Sequence, residues 1–238
     1  MNAFLYAVVL QWKMDLRSKS LFVTYYLVPF LFFLLMSGIF TSVMPEMEKT
    51  LVSSMIIMGT SMGAFIGLPS SLAEIYGSKI KKVYQVNGAP LCLGWITMFL
   101  SAWMHMIIFG VIILVLAPIL FKAAVPLNLF LFFASLTIYI TASLSLGSIL
   151  GLLIRNQAKL TMIGQLVFLP SIMLSGIMFS TEFLPDLLKN IGLIFPASWG
   201  YRILLIDDFQ FKNIWYLLAI ILTAPSICYT ILKKQKSD

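Results

Sequence analysis

From Leu91 to Phe121 the chain runs 31 residues without an Asp, Glu, Lys or Arg. As an α-helix such a run is about 46 Å long, well beyond the roughly 30 Å of a bilayer's hydrocarbon layer. Further apolar runs fall at about 21–43, 52–73, 128–153, 159–180 and 213–232, each reaching the roughly 20 residues a spanning helix needs. In lipid only helices and closed barrels keep every backbone polar group satisfied. The chain is 61% hydrophobic and 11% charged, against roughly 25% charged in soluble domains. The reading is an all-α polytopic membrane protein of six transmembrane helices, one transmembrane domain over 1–238.

Orientation follows from the bases, because cytoplasmic loops carry the excess of Lys and Arg. With a cytoplasmic N-terminus, Lys13, Arg17, Lys19, Lys79, Lys81, Lys82, Arg155, Lys159, Lys233, Lys234 and Lys236 lie inside. That leaves Lys49, Lys122, Lys189, Arg202 and Lys212 outside. Both termini are therefore expected in the cytoplasm, across a bacterial plasma membrane. The net charge of +7 is spread over short loops, which argues against a nucleic-acid partner and for the bilayer. No cleavable signal is expected, since Lys13 follows the first apolar run instead of preceding it. Cys92 and Cys228 fall near expected cytoplasmic helix ends and are read as free thiols.

Two flanking segments do not span. In residues 2–19 Leu5, Val8, Val9, Trp12 and Leu16 recur at helical spacing among bases, which suits an interfacial helix occupying 1–20. The alternative is a cytoplasmic extension of the first span. Residues 181–212, between the five-helix core (21–180) and the last helix with its basic tail (213–238), carry two short apolar runs around Pro196. Runs that short, on the external side, read as a re-entrant helical hairpin.

Several chemistries are missing. No G-x-x-x-x-G-K-[ST] loop is present to cradle nucleotide phosphates. No acid lies near the middle of a span, where ion-coupled carriers need one. Ser101 and His105 share a helix face at i, i+4 but lack any partner for nucleophilic chemistry, so a packing hydrogen bond is expected there. Gly59, Gly63 and Gly67, with Gly147 and Gly151, form small-residue steps that permit close helix approach. No cofactor, metal or catalytic residue is assigned to the chain.

The longest polar interruption of the early spans is the loop 68–90, LPSSLAEIYGSKIKKVYQVNGAP. Ser71 and Glu74 are spaced as a capping box, Gly77 would bend or end the helix, and a basic amphipathic stretch follows to Pro90. The expectation is a short helix along the inner surface, projecting Glu74, Tyr76 and the lysines to a soluble partner. Contact of those lysines with anionic headgroups is the alternative.

Glu74-x-x-Gly77-Ser78 running through a basic stretch to Ala89-Pro90 resembles the first cytoplasmic loop of ABC transporter permeases of the type-2 exporter class. So do Leu174-Ser175-Gly176-Ile177-Met178-Phe179, Leu184-Pro185, and Pro196-Ala197-Ser198-Trp199 with Arg202. The resemblance implies the membrane subunit of an exporter of drugs, antimicrobial peptides or lipid-linked molecules, paired with a second permease. It also implies a separate cytoplasmic ATPase that binds ATP and Mg. Glu74, Tyr76, Gly77, Ser78, Lys79, Lys81 and Lys82 would form the ATPase-coupling interface, and 2–19 the connecting helix. The rival reading is a non-transporting membrane scaffold or assembly factor.

Overall fold

The computed structural model describes residues 3–77, 86, 90–179, 181–205 and 211–237. Its elements are helices: α1 (Ala3–Arg17), α2 (Lys19–Val43), α3 (Leu51–Gly77), α4 (Leu91–Phe121), α5 (Leu129–Leu153), α6 (Gln157–Met173), α7 (Asp186–Gly192), α8 (Pro196–Leu205) and α9 (Phe211–Ser237). Ser18 starts α2, its hydroxyl accepting from the Leu21 amide. Asn128 and Asn156 cap α5 and α6 by accepting from the Leu131 and Lys159 amides. An unpaired first-turn N–H is costly near lipid, and these side chains remove that cost.

Helix α3 is the axis of the bundle. Leu51, Met55, Ile56, Ile57, Ala64, Leu68 and Leu72 are wholly buried. Helices α2, α4, α5, α6 and α8 all pack on it. Its small residues allow this. Gly59 accepts the ring of Phe109, and Gly63 and Gly67 accept the ring of Tyr25. From the other side the partners supply the glycine: Gly147 lies on the Ala64 carbonyl, Gly151 on Pro69 and Gly164 on the Phe65 carbonyl. All of these small-residue steps are thus used inside one chain. The hydroxyls of Thr60, Ser61 and Ser70 bond back to carbonyls one turn earlier, and Ser61 also meets the Tyr139 hydroxyl deep in the core.

One local expectation is corrected. Loop 68–90 does not open with a separate capped helix. Instead α3 continues through Pro69 to Gly77, and the Ser71 hydroxyl donates back to the Gly67 carbonyl, so the capping box is not formed. A π-turn at Gly63–Gly67 just before Pro69 takes up the clash and missing donor that proline brings to a helix. Pro118 lies within α4, which runs on to Phe121 and ends at a left-handed Lys122. Among the described residues five helices are long and apolar enough to cross a membrane: α2, α3, α4, α5 and α9 over Asn213–Lys234. At the span expected over 159–180 the helix is the 17-residue α6, about 26 Å long. Beyond Leu174, Ser175 bonds to the Ile172 carbonyl and Gly176 adopts φ +89, which turns the chain.

Helices α7 and α8 form a short hairpin locked to the bundle. Ser198 donates to the Gly192 carbonyl at 2.6 Å and the Trp199 indole to the Leu193 carbonyl at 2.8 Å. Trp199 stacks on Tyr216 of α9 while Arg202 lies 5.3 Å over its ring. Gly200 packs on the ring of Tyr139, and Ser53 of α3 donates to the Leu204 carbonyl. The run Pro196-Ala197-Ser198-Trp199 with Arg202 is therefore a packing device.

A methyl group at Gly147 would overlap the Ala64 carbonyl, whereas at Gly38 the nearest atom is 4.0 Å away. Gly147→Ala is expected to destabilise the folded protein by about 1–3 kcal/mol through overpacking. Gly38→Ala is expected to be neutral or slightly stabilising. Thermal unfolding in detergent compares the two.

Candidate functional site

Helix α3 leaves the core at its last turn. Leu72 and Ala73 are buried, Glu74 and Gly77 are exposed, and Tyr76 is turned inward. The Tyr76 hydroxyl donates to the Leu91 carbonyl at the start of α4. Tyr76 therefore does not project, as the sequence led us to expect, but ties the end of α3 to α4. Ser78, Lys79, Lys81 and Lys82 lie outside the described residues.

Beside Glu74 and Gly77 a cleft of about 390 Å³ opens, lined also by Ala73, Arg155 and Gln157. Arg155 comes from the α5–α6 turn, where Asn156 caps α6 and fixes the approach. That turn lies close to Gly77, where a Cβ would sit in ordinary contact 3.8 Å from the Arg155 carbonyl. Glu74 and Arg155 are both exposed and do not form an ion pair with each other. An acid and a base facing one cleft, both open to solvent, can receive a complementary pair from a soluble surface. In the sequence Arg155 and Lys159 bore on topology alone, so this half of the cleft was missed. Its only trace was the position of Arg155 between two spans that share the loop's side.

A second polar cluster sits where α1 lies along α4. Asp15 is buried and accepts from the Ser101 hydroxyl and from the Gln11 amide, the latter at 2.8 Å. Burial pushes its carboxyl above the ordinary range, an effect that the Ser101 and Gln11 bonds oppose. One turn further along α4, His105 Nδ1 bonds the Tyr26 hydroxyl at 2.7 Å and stacks on Tyr25. Ser101 and His105 thus bond to different partners, which is the packing role expected of them. Helix α1 buries Val8 and Asp15 against the bundle, while Leu5, Val9 and Leu16 remain exposed.

With this geometry in hand, comparison with known families is decisive. The profile described as ABC-2 type transporter matches residues 2–209. The chain belongs to that family. It is the permease component of an ABC-2 transporter, a multi-pass membrane protein. No curated protein matched the chain. The last turn of α3 and the segment α1 are both fastened to α4, through Tyr76–Leu91 and Asp15–Ser101.

Because the folded carboxyl of Asp15 titrates above its unfolded value, the folded state holds more protons between the two values. Its contribution is then most favourable at acid pH and is lost as pH rises through the folded value. Asp15→Asn, which retains an acceptor for Ser101, should raise the melting temperature at neutral pH. It should also flatten the pH dependence of melting above pH ~4. Melting curves of both proteins across pH 4–8 test this.

Proposed function

We propose that this permease forms the membrane half of an ATP-driven exporter, and that the Glu74–Gly77–Arg155 cleft receives the ATPase subunit. What carries the reading is one placement. The exposed, oppositely charged Glu74 and Arg155 line a cleft at the tip of the most buried helix of an ABC-2 chain. Ser78, Lys79, Lys81 and Lys82 continue the docking surface in sequence, and Tyr76 holds its base against α4.

In this arrangement both termini and the cleft face the cytoplasm, where most of the bases fall. Helix α6 and the turn at 174–179 make up a sixth crossing, with α7 and α8 entering the bilayer from the external side. ATP and Mg are held by the partner ATPase, since this chain lacks a phosphate loop. Two permease copies, or this chain and a sister, surround the path. The substrate is apolar or amphipathic, matching a bundle whose spans carry no charged lining.

Motion at the cleft has a direct route outward. At about 40 Å, α3 runs from Gly77 to Leu51, with Ser53 bonded to the hairpin at Leu204. Closure of two ATPases would push on the Glu74 end, and the hairpin would move with the other end.

The test is reconstitution with the cognate ATPase. Glu74→Ala, Gly77→Pro and Arg155→Glu should each lower substrate-stimulated ATP hydrolysis by tenfold or more while membrane insertion is unchanged. Unaltered ATPase binding and stimulation in all three would place the docking surface elsewhere. Cysteine at position 80 should be labelled by an impermeant reagent only in inside-out vesicles. Labelling in intact cells would reverse the topology.

A further inference from the structure

Between α1, the first half of α2 and α4 lies a cavity of about 420 Å³, lined by Trp12, Leu16, Phe22, Tyr26, Ile108 and Ile112 among others. This is the size range of small-molecule sites, about 300–1,000 Å³. It opens to the bundle's surface, since Leu16, Phe22 and Leu27 on its wall are 37%, 47% and 45% exposed. Along α2 the wall runs from Phe22 to Phe30, a depth of about 12 Å at 1.5 Å per residue.

The charges around it are one-sided. Lys13 and Arg17 follow Trp12 and Leu16 on the adjoining stripe of α1, and Lys19 stands one turn before Phe22 on the same face of α2. All three bases are exposed, and none forms an ion pair with a described acid. The one acid among them, Asp15, is turned inward to Ser101. Trp12 itself carries a buried indole N–H without an acceptor.

We infer that this cavity is a binding site for one anionic phospholipid. An acyl chain fills the apolar slot, and the phosphate lies among Lys13, Arg17 and Lys19. Bases near an anionic headgroup each add attraction, and a Trp at that depth suits the membrane interface. The site would fix α1 against the bundle from the lipid side, opposite the Asp15–Ser101 bond. It does not depend on which ATPase or substrate the permease serves.

The test uses the delipidated full chain in detergent, with equimolar phosphatidylglycerol and phosphatidylcholine of the same chains, read by native mass spectrometry. The wild-type chain should retain one phosphatidylglycerol in preference to phosphatidylcholine. Replacing Lys13, Arg17 and Lys19 together by Gln should reduce that preference by about tenfold or more. Ile108→Trp, which fills the slot, should remove the bound lipid. Leu16→Trp repeats that test at a partly exposed wall position, where folding tolerates the larger ring, and both variants are checked by melting. Equal retention of the two lipids, unmoved by any variant, would mean annular lipid only and would overturn the site. Loss with the Gln triple variant but not with either Trp variant would mean surface attraction without a chain slot. Loss with the Trp variants but not with the triple variant would mean a neutral ligand. Either result would overturn the assignment.

Discussion

The bundle depends on backbone-to-backbone contact along α3. Inside a bilayer, helices gain nothing by hiding apolar surface from water, because the lipid is as apolar as their side chains. What remains is dispersion, which rises steeply with proximity. Gly147, Gly151 and Gly164 bring α5 and α6 onto the carbonyls and backbone of Ala64, Phe65 and Pro69. That stretch of α3 is also where the helix widens into a π-turn ahead of Pro69. Proline has no N–H to offer the Phe65 carbonyl one turn back, and Gly164 packs against that same oxygen. Local irregularity and tight packing are therefore one feature, and the aromatic rings of Tyr25 and Phe109 close its other side against Gly59, Gly63 and Gly67.

Many of the hydroxyls inside the bundle bond to the preceding turn of their own helix, as at Thr60, Ser61, Thr141 and Ser148. Others reach across: Ser53 and Tyr76 to backbone carbonyls of neighbouring helices, and three as side-chain pairs, Ser61 to Tyr139, Tyr26 to His105, and Ser101 to Asp15. Two of the three fasten α4 to the first helices of the chain. Helix α4 is about 46 Å long, so part of it extends beyond a hydrocarbon layer of roughly 30 Å.

The helices themselves were legible, since an uncharged run of this length has no other stable form in lipid. The glycine steps were legible as close contacts. What failed were statements that turn on tertiary partners. Asp15 sits among Lys13, Arg17 and Lys19, and helical spacing alone assigns it to the wet face. Its partner Ser101 is far along the chain, and no local pattern announces the pair. Tyr76 reads as an exposed residue of a basic loop, yet its hydroxyl donates to the Leu91 carbonyl in the first turn of α4. The end of α6 was misplaced because the run through Phe179 stays apolar, while Gly176 with φ +89 turns the backbone. Hydropathy does not register that turn.

The same contacts decide how a displacement at the cleft could travel. Helix α3 is held at three levels: Tyr76 to α4 near one end, the glycine contacts at its middle, and Ser53 to the hairpin near the other. The middle contacts are backbone against backbone and leave no flexible side chain to absorb a shift. Sliding α3 along its axis would drive the Ala64 carbonyl into α5 at Gly147, so translation is resisted. Rocking about the Ala64–Pro69 region keeps those contacts and needs only the end bonds to adjust. Those end bonds are single hydrogen bonds, of about 1 kcal/mol each. A push on Glu74 would thus tilt α3 about its π-turn and carry Ser53 and the α8 end at Leu204 the opposite way. For a family whose members must couple one side of a membrane to the other, that makes the packed middle of α3 a fulcrum.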